Sequence, residues 1–146
     1  MMALVLDASM VAAWLLPEEH SQAAEDLIAG LDGPCPVPSL FWHEVRSILL
    51  IAERRGRIDA GEALTALGRM RRLPLEDAGA GADAHVMAIA RTQALSAYDA
   101  AYLALALDRA LPLATLDRKL AVAARHQGVA VLGPHGASAT PPAEKP

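Results

Sequence analysis

Asp7, Glu44, Asp99 and Asp117 are the residues of this sequence whose type and placement can do chemistry. Asp7 closes a short apolar run, residues 3–6. Asp117 follows a second such run, 112–115, and Asp99 falls in the first turn of a helical segment. In a parallel α/β sheet the strand C-termini and the following helix N-termini share one edge, where ligands bind. Acids far apart in sequence can meet there, and Glu44, near the start of another helical segment, can join them. Two unit charges about 4 Å apart repel by roughly 4 kcal/mol at an effective dielectric of about 20. Either some of the acids protonate or a cation compensates. The cation that suits such donors is hard and octahedral, Mg2+ or Mn2+, with water and substrate phosphate completing its shell. With one cysteine and five histidines that lack ligand spacing, nothing competes for zinc. A hydrated hard ion on an acidic edge suits phosphodiester hydrolysis, because it activates and orients water and neutralises developing charge. The plain alternative is that Asp7, Asp99 and Asp117 are helix caps or first-turn acids, and Glu44 a solvated one.

The elements that must position these acids follow from periodicity and punctuation. Short β-like runs alternate with helical spacing, which predicts an α/β fold. A central, mainly parallel sheet of about four to five short strands is expected, flanked by about seven helices. Residues 3–6 read as a buried strand. Helices are expected over 9–16, stopped by Pro17, and over 21–31, ended near Gly33-Pro34. Residues 36–38 read as an edge strand, because two prolines remove ladder donors. Ser39 is placed to cap a third helix to about residue 55, with Phe41, Val45, Ile48, Leu49 and Ala52 on one face. Asp59 and Glu62 form a capping-box pair for a fourth helix to about residue 71. Residues 73–75 make a connector or strand. Further helices are expected over 80–93, over 97–109 behind a Ser96 cap, and from Asp117 to about residue 126. Residues 112–115 and 129–132 supply the last strands. The folded domain is expected to span 1–133, and the Gly-, Ala-, Ser- and Pro-rich residues 134–146 to form a disordered tail.

Composition limits the choices. The 146 residues predict one domain. Thirteen Lys and Arg against seventeen Asp and Glu give a net charge of −4, which excludes a polybasic molecule. Any nucleic acid must be drawn in by a local patch. The lone Cys35 permits no internal disulfide and fits a reducing, cytoplasmic setting. The N-terminus lacks a basic region and meets Asp7 at once, so it does not read as a signal peptide. No apolar run approaches the roughly 20 residues that span a bilayer, so no membrane association is expected.

Four blocks carry a family resemblance. They are Leu4-Val5-Leu6-Asp7-Ala8-Ser9, Pro38-Ser39-Leu40-Phe41-Trp42-His43-Glu44-Val45, the run from Leu95 through Tyr98-Asp99-Ala100-Ala101-Tyr102 to Ala106, and Leu113-Ala114-Thr115-Leu116-Asp117-Arg118-Lys119-Leu120. In order and separation they resemble the signature blocks of PIN domains, and more narrowly of VapC toxins from type II toxin–antitoxin pairs, over about residues 3–132. The resemblance implies a Mg2+- or Mn2+-dependent endoribonuclease. It implies Asp7, Glu44, Asp99 and Asp117 as the acidic catalytic set, with Asp7, Asp99 and Asp117 as metal ligands. Ser9 and Thr115 match small hydroxyl positions that orient the acids or a metal water. Ser47 departs from the pattern, since many relatives carry Asn there. A homodimer and a VapB-type antitoxin are the implied partners, alongside the RNA substrate.

Other features have competing readings. Arg46, Arg54, Arg55, Arg57, Arg69, Arg71 and Arg72 can form an RNA-backbone track, with Arg46, Arg54 and Arg55 nearest the acids in sequence. They can equally be solvated faces and helix C-terminal charges. Trp14 and Trp42 suit packing better than base stacking, given so few aromatics. Tyr98 and Tyr102, four apart, read as a packing pair. His20, His43, His85, His126 and His135 are assigned no role. Two other functions compete with the nuclease reading. Asp7 as a phosphoryl-accepting nucleophile lacks a second aspartate two residues on and any glycine-rich phosphate loop. A non-catalytic PIN-like binding module is opposed by the presence of all four acids.

Overall fold

The computed structural model describes residues 3–19 and 21–136. His20 and all but the first three residues of the predicted tail therefore lie outside the described residues. Residues 134–136 are not a loose end. Gly136 is buried, and Arg125 donates to the His135 carbonyl.

Strands β1 (Val5–Leu6), β2 (Cys35–Val37), β3 (Leu75–Asp77), β4 (Leu113–Ala114) and β5 (Val131–Leu132) alternate with seven α-helices among the described residues. These are α1 (Ala8–Leu15), α2 (Gln22–Ala29), α3 (Leu40–Arg54), α4 (Ala60–Met70), α5 (Asp83–Gln93), α6 (Ala97–Arg109) and α7 (Arg118–His126). A single 3-10 turn, Pro17–Glu19, follows α1 where proline stops it. All strand pairs are parallel, as the short apolar runs predict.

The sheet is split into two ladders, β1-β4-β5 and β2-β3, which lie side by side through β1 and β2. Pro36 explains the split. Cys35 N–H donates to Pro74 O on the β3 side, at 2.7 Å. Successive backbone N–H groups along a strand face opposite edges. The donor that Pro36 lacks is therefore the one that would face β1. β2 is thus not the edge strand that its prolines suggested. Its three residues are all buried, while β3 outside it carries the exposed positions. The chain runs outward from β1 to β3 and then returns to lay β4 on the other side of β1. The gap between β1 and β4 is a topological switch point, where α/β sheets bind ligands.

Two local expectations are settled by side-chain geometry. Asp59 and Glu62 form a complete capping box on α4, at 2.7 and 2.9 Å. Ser39 does not cap α3: its backbone is already helical and its side chain makes no cap bond. Helix α6 is buried almost all round in its first turns, from Ala100 to Ala104. It packs against β1, β2, β4, α5 and α7, so the residues at its start are rigidly held.

Candidate active site

The β1–β4 register sets Val5 opposite Leu113 and Leu6 opposite Ala114. One residue further, Asp7 and Thr115 leave the sheet side by side, and both are buried. Asp7 occupies the N-cap position of α1, yet its side chain makes no cap bond. Its Oδ2 instead accepts from Thr115 Oγ1 at 2.6 Å and from Ser9 Oγ at 2.7 Å. Each hydroxyl in turn accepts a backbone N–H, Thr115 from Asp117 at 3.0 Å and Ser9 from Leu116 at 3.1 Å. An N–H can only donate, so both hydroxyl protons are committed to Asp7. Helix capping therefore does not by itself account for Asp7, whose carboxylate is held chiefly by two hydroxyls. This carboxylate is only 6% exposed and is held by a network crossing 108 residues of sequence.

Asp117 caps α7, its Oδ1 accepting from Leu120 N–H at 3.1 Å. Asp99 sits in the first turn of α6, where Ser96 Oγ accepts its backbone N–H at 3.1 Å. Glu44 reaches in from α3 and accepts from the Tyr102 hydroxyl at 2.6 Å. The four acids share one electrostatic field. Burial raises the pKa of Asp7, offset by its hydroxyl partners and raised further by the charge of Asp117. Burial likewise raises Glu44, with Tyr102 opposing and the charges of Asp7 and Asp99 adding. Asp99 is raised by burial and then by Asp117 and Asp7, while Lys119 pulls the other way.

The donor chemistry fits a hard divalent cation: carboxylates and hydroxyls, with neither thiolate nor imidazole in the network. Among the described residues no three His, Cys, Asp or Glu side chains lie close enough to enclose one ion. The geometry is therefore a shared acidic edge, short of the cage that four converging acids suggested. Mg2+ is commonly held by one or two carboxylates, with water and substrate phosphate completing the shell, so an open edge suits it.

Two residues of this centre were not legible as such. The four-residue spacing of Tyr98 and Tyr102 predicts a packing pair. In the structure Tyr102 is fully buried and Tyr98 is 65% exposed, so they do not form one. Burial raises the Tyr102 pKa, and the charges of Asp7 and Glu44 raise it further, so it stays a proton donor to Glu44. Lys119 lies within electrostatic reach of Asp99, and its only signal was adjacency to the Asp117 block. We expect Tyr102→Phe to leave the fold intact and lower kcat/KM roughly 10- to 150-fold, in line with about 1.5–3 kcal/mol for a hydrogen bond to a charged group. Losing the donor raises the Glu44 pKa, so the acid limb of the pH–rate profile moves upward. An unchanged acid limb would separate Tyr102 from Glu44 function.

The arginines divide. Arg69 and Arg71 lie over the faces of Trp14 and Trp42, at 4.3 and 4.5 Å from the ring centroids, and Arg57 pairs with Glu19 at 3.5 Å. These three have structural work, and both tryptophans pack against the core as expected. Arg46, Arg54, Arg55 and Arg72 remain exposed. Arg55 lines a cleft of about 360 Å³ with Ser9, Ile48, Ile51, Arg57 and Leu116, adjoining the Asp7 network. His85 pairs with Asp108 at 3.2 Å, which ties α5 to α6.

Gly133 supports the site from behind. Its φ is +115°, and an added Cβ would meet the Thr115 carbonyl oxygen at 2.9 Å. We expect Gly133→Ala to cost about 2 kcal/mol through backbone strain and collision. A fall in the denaturant midpoint measures it, and an unchanged midpoint would contradict this packing.

The PIN domain family model matches residues 4–126, and the chain belongs to that family. No curated protein matches the chain in sequence. Solved structures that share its fold include two of low sequence identity. The crystal structure of PAE2754 from Pyrobaculum aerophilum is 22% identical, with a TM-score of 0.68, and the match covers 89% of this chain and 83% of that one. A toxin–antitoxin complex from Klebsiella pneumoniae is 19% identical, with a TM-score of 0.57, covering 80% of this chain and 88% of that one. Among the described residues no helix is long and apolar enough to cross a membrane.

Proposed function

We propose that this PIN domain is a Mg2+- or Mn2+-dependent endoribonuclease that acts as the toxin of a VapBC-type toxin–antitoxin pair. The observation that carries the nuclease reading is Asp7. A buried carboxylate at the switch point of the sheet is held by two hydroxyls and shares the electrostatic field of three further acids. Helix capping alone does not require the two hydroxyl donors. Asp7, Asp99 and Asp117 would hold the ion. When bound, it supplies Lewis acidity toward the phosphodiester and a lowered pKa for the attacking water. Ser9 and Thr115 fix the orientation of Asp7, and Tyr102 fixes that of Glu44. Glu44, whose pKa is raised by burial, would exchange a proton with water at the reacting phosphate. Arg46, Arg54 and Arg55 supply exposed positive charge for the RNA backbone beside an otherwise acidic centre.

The toxin assignment draws on the signature blocks and on the fold shared with a toxin–antitoxin complex. In this reading the protein forms a homodimer in the cytoplasm and is inhibited by a VapB-type antitoxin. The free, buried Cys35 accords with a reducing compartment. The test is incubation of total RNA with the protein plus Mg2+ or Mn2+, plus chelator, and with the Asp99→Asn variant, followed by end mapping. Discrete products in the first case alone are expected. Cleavage that survives chelation or the substitution would overturn the mechanism. Expression should slow growth, with relief by a co-expressed antitoxin; no growth effect would remove the toxin assignment and leave the nuclease.

A further inference from the structure

We infer that Tyr98 and the hollow beside it form a nucleobase subsite that receives the base flanking the scissile phosphodiester; this rests on the ribonuclease reading. Five aromatic residues are present in the chain. Phe41 and Tyr102 are fully buried, and Trp14 and Trp42 are half-buried under arginines. Tyr98 alone among them has an exposed ring, at 65%. It precedes Asp99 in the first turn of α6. Tyr98 and Tyr102 lie on one stripe of that helix, a turn apart. The stripe therefore runs from the buried hydroxyl on Glu44 out to an uncovered aromatic ring.

That ring borders a hollow of about 360 Å³, shared with Leu40, His43, Glu44, Ser47 and Ile48. Leu40 and Ile48 are half-buried and pack on the core, so they make an apolar floor. His43 and Ser47 are exposed and put hydrogen-bonding groups on the rim. Glu44 belongs both to this hollow and to the acidic centre, so the two are continuous. The lining holds no Lys or Arg to retain a phosphate. It suits a planar, uncharged group with polar edges, attached to a phosphate that lies at the acids. A nucleobase has that chemistry, and an aromatic face binds bases of any sequence by stacking. Ser47 and His43 are placed to contact base edges, which makes the rim the place where base preference is set.

The experiment uses the cleavage-deficient Asp117→Asn protein and a short unstructured oligoribonucleotide carrying 2-aminopurine at successive positions. Stacking on Tyr98 quenches 2-aminopurine at one position next to the cleavage point. Tyr98→Phe keeps the quenching and the affinity. Tyr98→Ala loses the quenching and binds roughly 5- to 100-fold more weakly, the range expected for one base–aromatic stack. An abasic nucleotide at that position removes the difference between the two forms. If Tyr98→Ala binds and quenches like its parent, the subsite is overturned and the nuclease reading stands. If its weaker binding follows a change in oligomeric mass, the ring is a contact between protein copies, and the subsite is again overturned. If no form binds RNA, both readings fall.

Discussion

Asp7→Asn is expected to abolish the proposed RNA cleavage while raising the melting temperature of the metal-free protein at neutral pH. The two effects share one cause. Asp7 is buried beside Asp117, and burial raises its pKa above the ordinary value of 3.8. A carboxyl whose folded pKa is raised contributes stability that is fully present below the unfolded pKa. That contribution is lost as pH rises through the folded value. Above that range the raised pKa therefore opposes folding. Asparagine keeps an oxygen to accept from Ser9 and Thr115, and it carries no charge to desolvate. A gain of a few degrees in Tm is expected, disappearing at acid pH, where Asp7 is neutral in the parent too. The same substitution removes an anionic oxygen from the centre, and activity falls about 1,000-fold or more. Thermal melts across pH, paired with cleavage assays, test this. An Asp7→Asn protein that is less stable at every pH would show the carboxylate to be a structural anchor.

The second large effect comes from the opposite change. Thr115→Val keeps the shape of a fully buried side chain and deletes the hydroxyl that donates to Asp7 at 2.6 Å. It also leaves the Asp117 N–H without its acceptor. The Thr115 hydrogen bond lowers the Asp7 pKa, so its loss raises that pKa further. Destabilisation of about 1.5–3 kcal/mol is expected at neutral pH, for a hydrogen bond to a charged buried group. It shrinks on acidification, because a protonated Asp7 needs the donor less. Activity should fall about 10- to 100-fold, as for residues that orient metal-binding side chains. In the Asp7→Asn background the cost should be smaller, since the partner is then uncharged. A double-mutant cycle on chemical denaturation measures this coupling. Strictly additive costs would mean that Thr115 supports the sheet and not the carboxylate.

The parts of this centre that were legible in sequence are those written locally. An apolar run ending in Asp7 and another ending before Asp117 announce two strands and the edge they share. Asp59 and Glu62 announce a helix start, because both halves of a capping box lie within one turn. Ser96 ahead of the 97–109 segment does the same. The illegible parts are contacts between distant residues. Nothing near Tyr102 shows that its hydroxyl meets Glu44, which lies 58 residues earlier. Four-residue spacing to another aromatic suggested packing instead, and helix geometry alone cannot tell a buried ring from one that overhangs the helix start. Pro36 and Pro38 correctly reported missing donors but not which edge lacks them. That depends on where β1 lies. Arg69 and Arg71 looked like the rest of a basic run until the tryptophans beneath them came into view. The local reading of Asp7 as a cap could not include the hydroxyl of Thr115, which reaches it from 108 residues away.

The four acids are expected to act as one centre for a divalent ion, although no three of them enclose a cage. Calorimetric titration of Mn2+ into the metal-free protein and its Asp7→Asn, Asp99→Asn and Asp117→Asn variants tests that most directly. A single class of binding that each substitution weakens at least about tenfold is predicted, together with a rise in wild-type Tm of the size that binding the folded form alone produces. Equal Mn2+ affinity in the wild type and all three variants would contradict it.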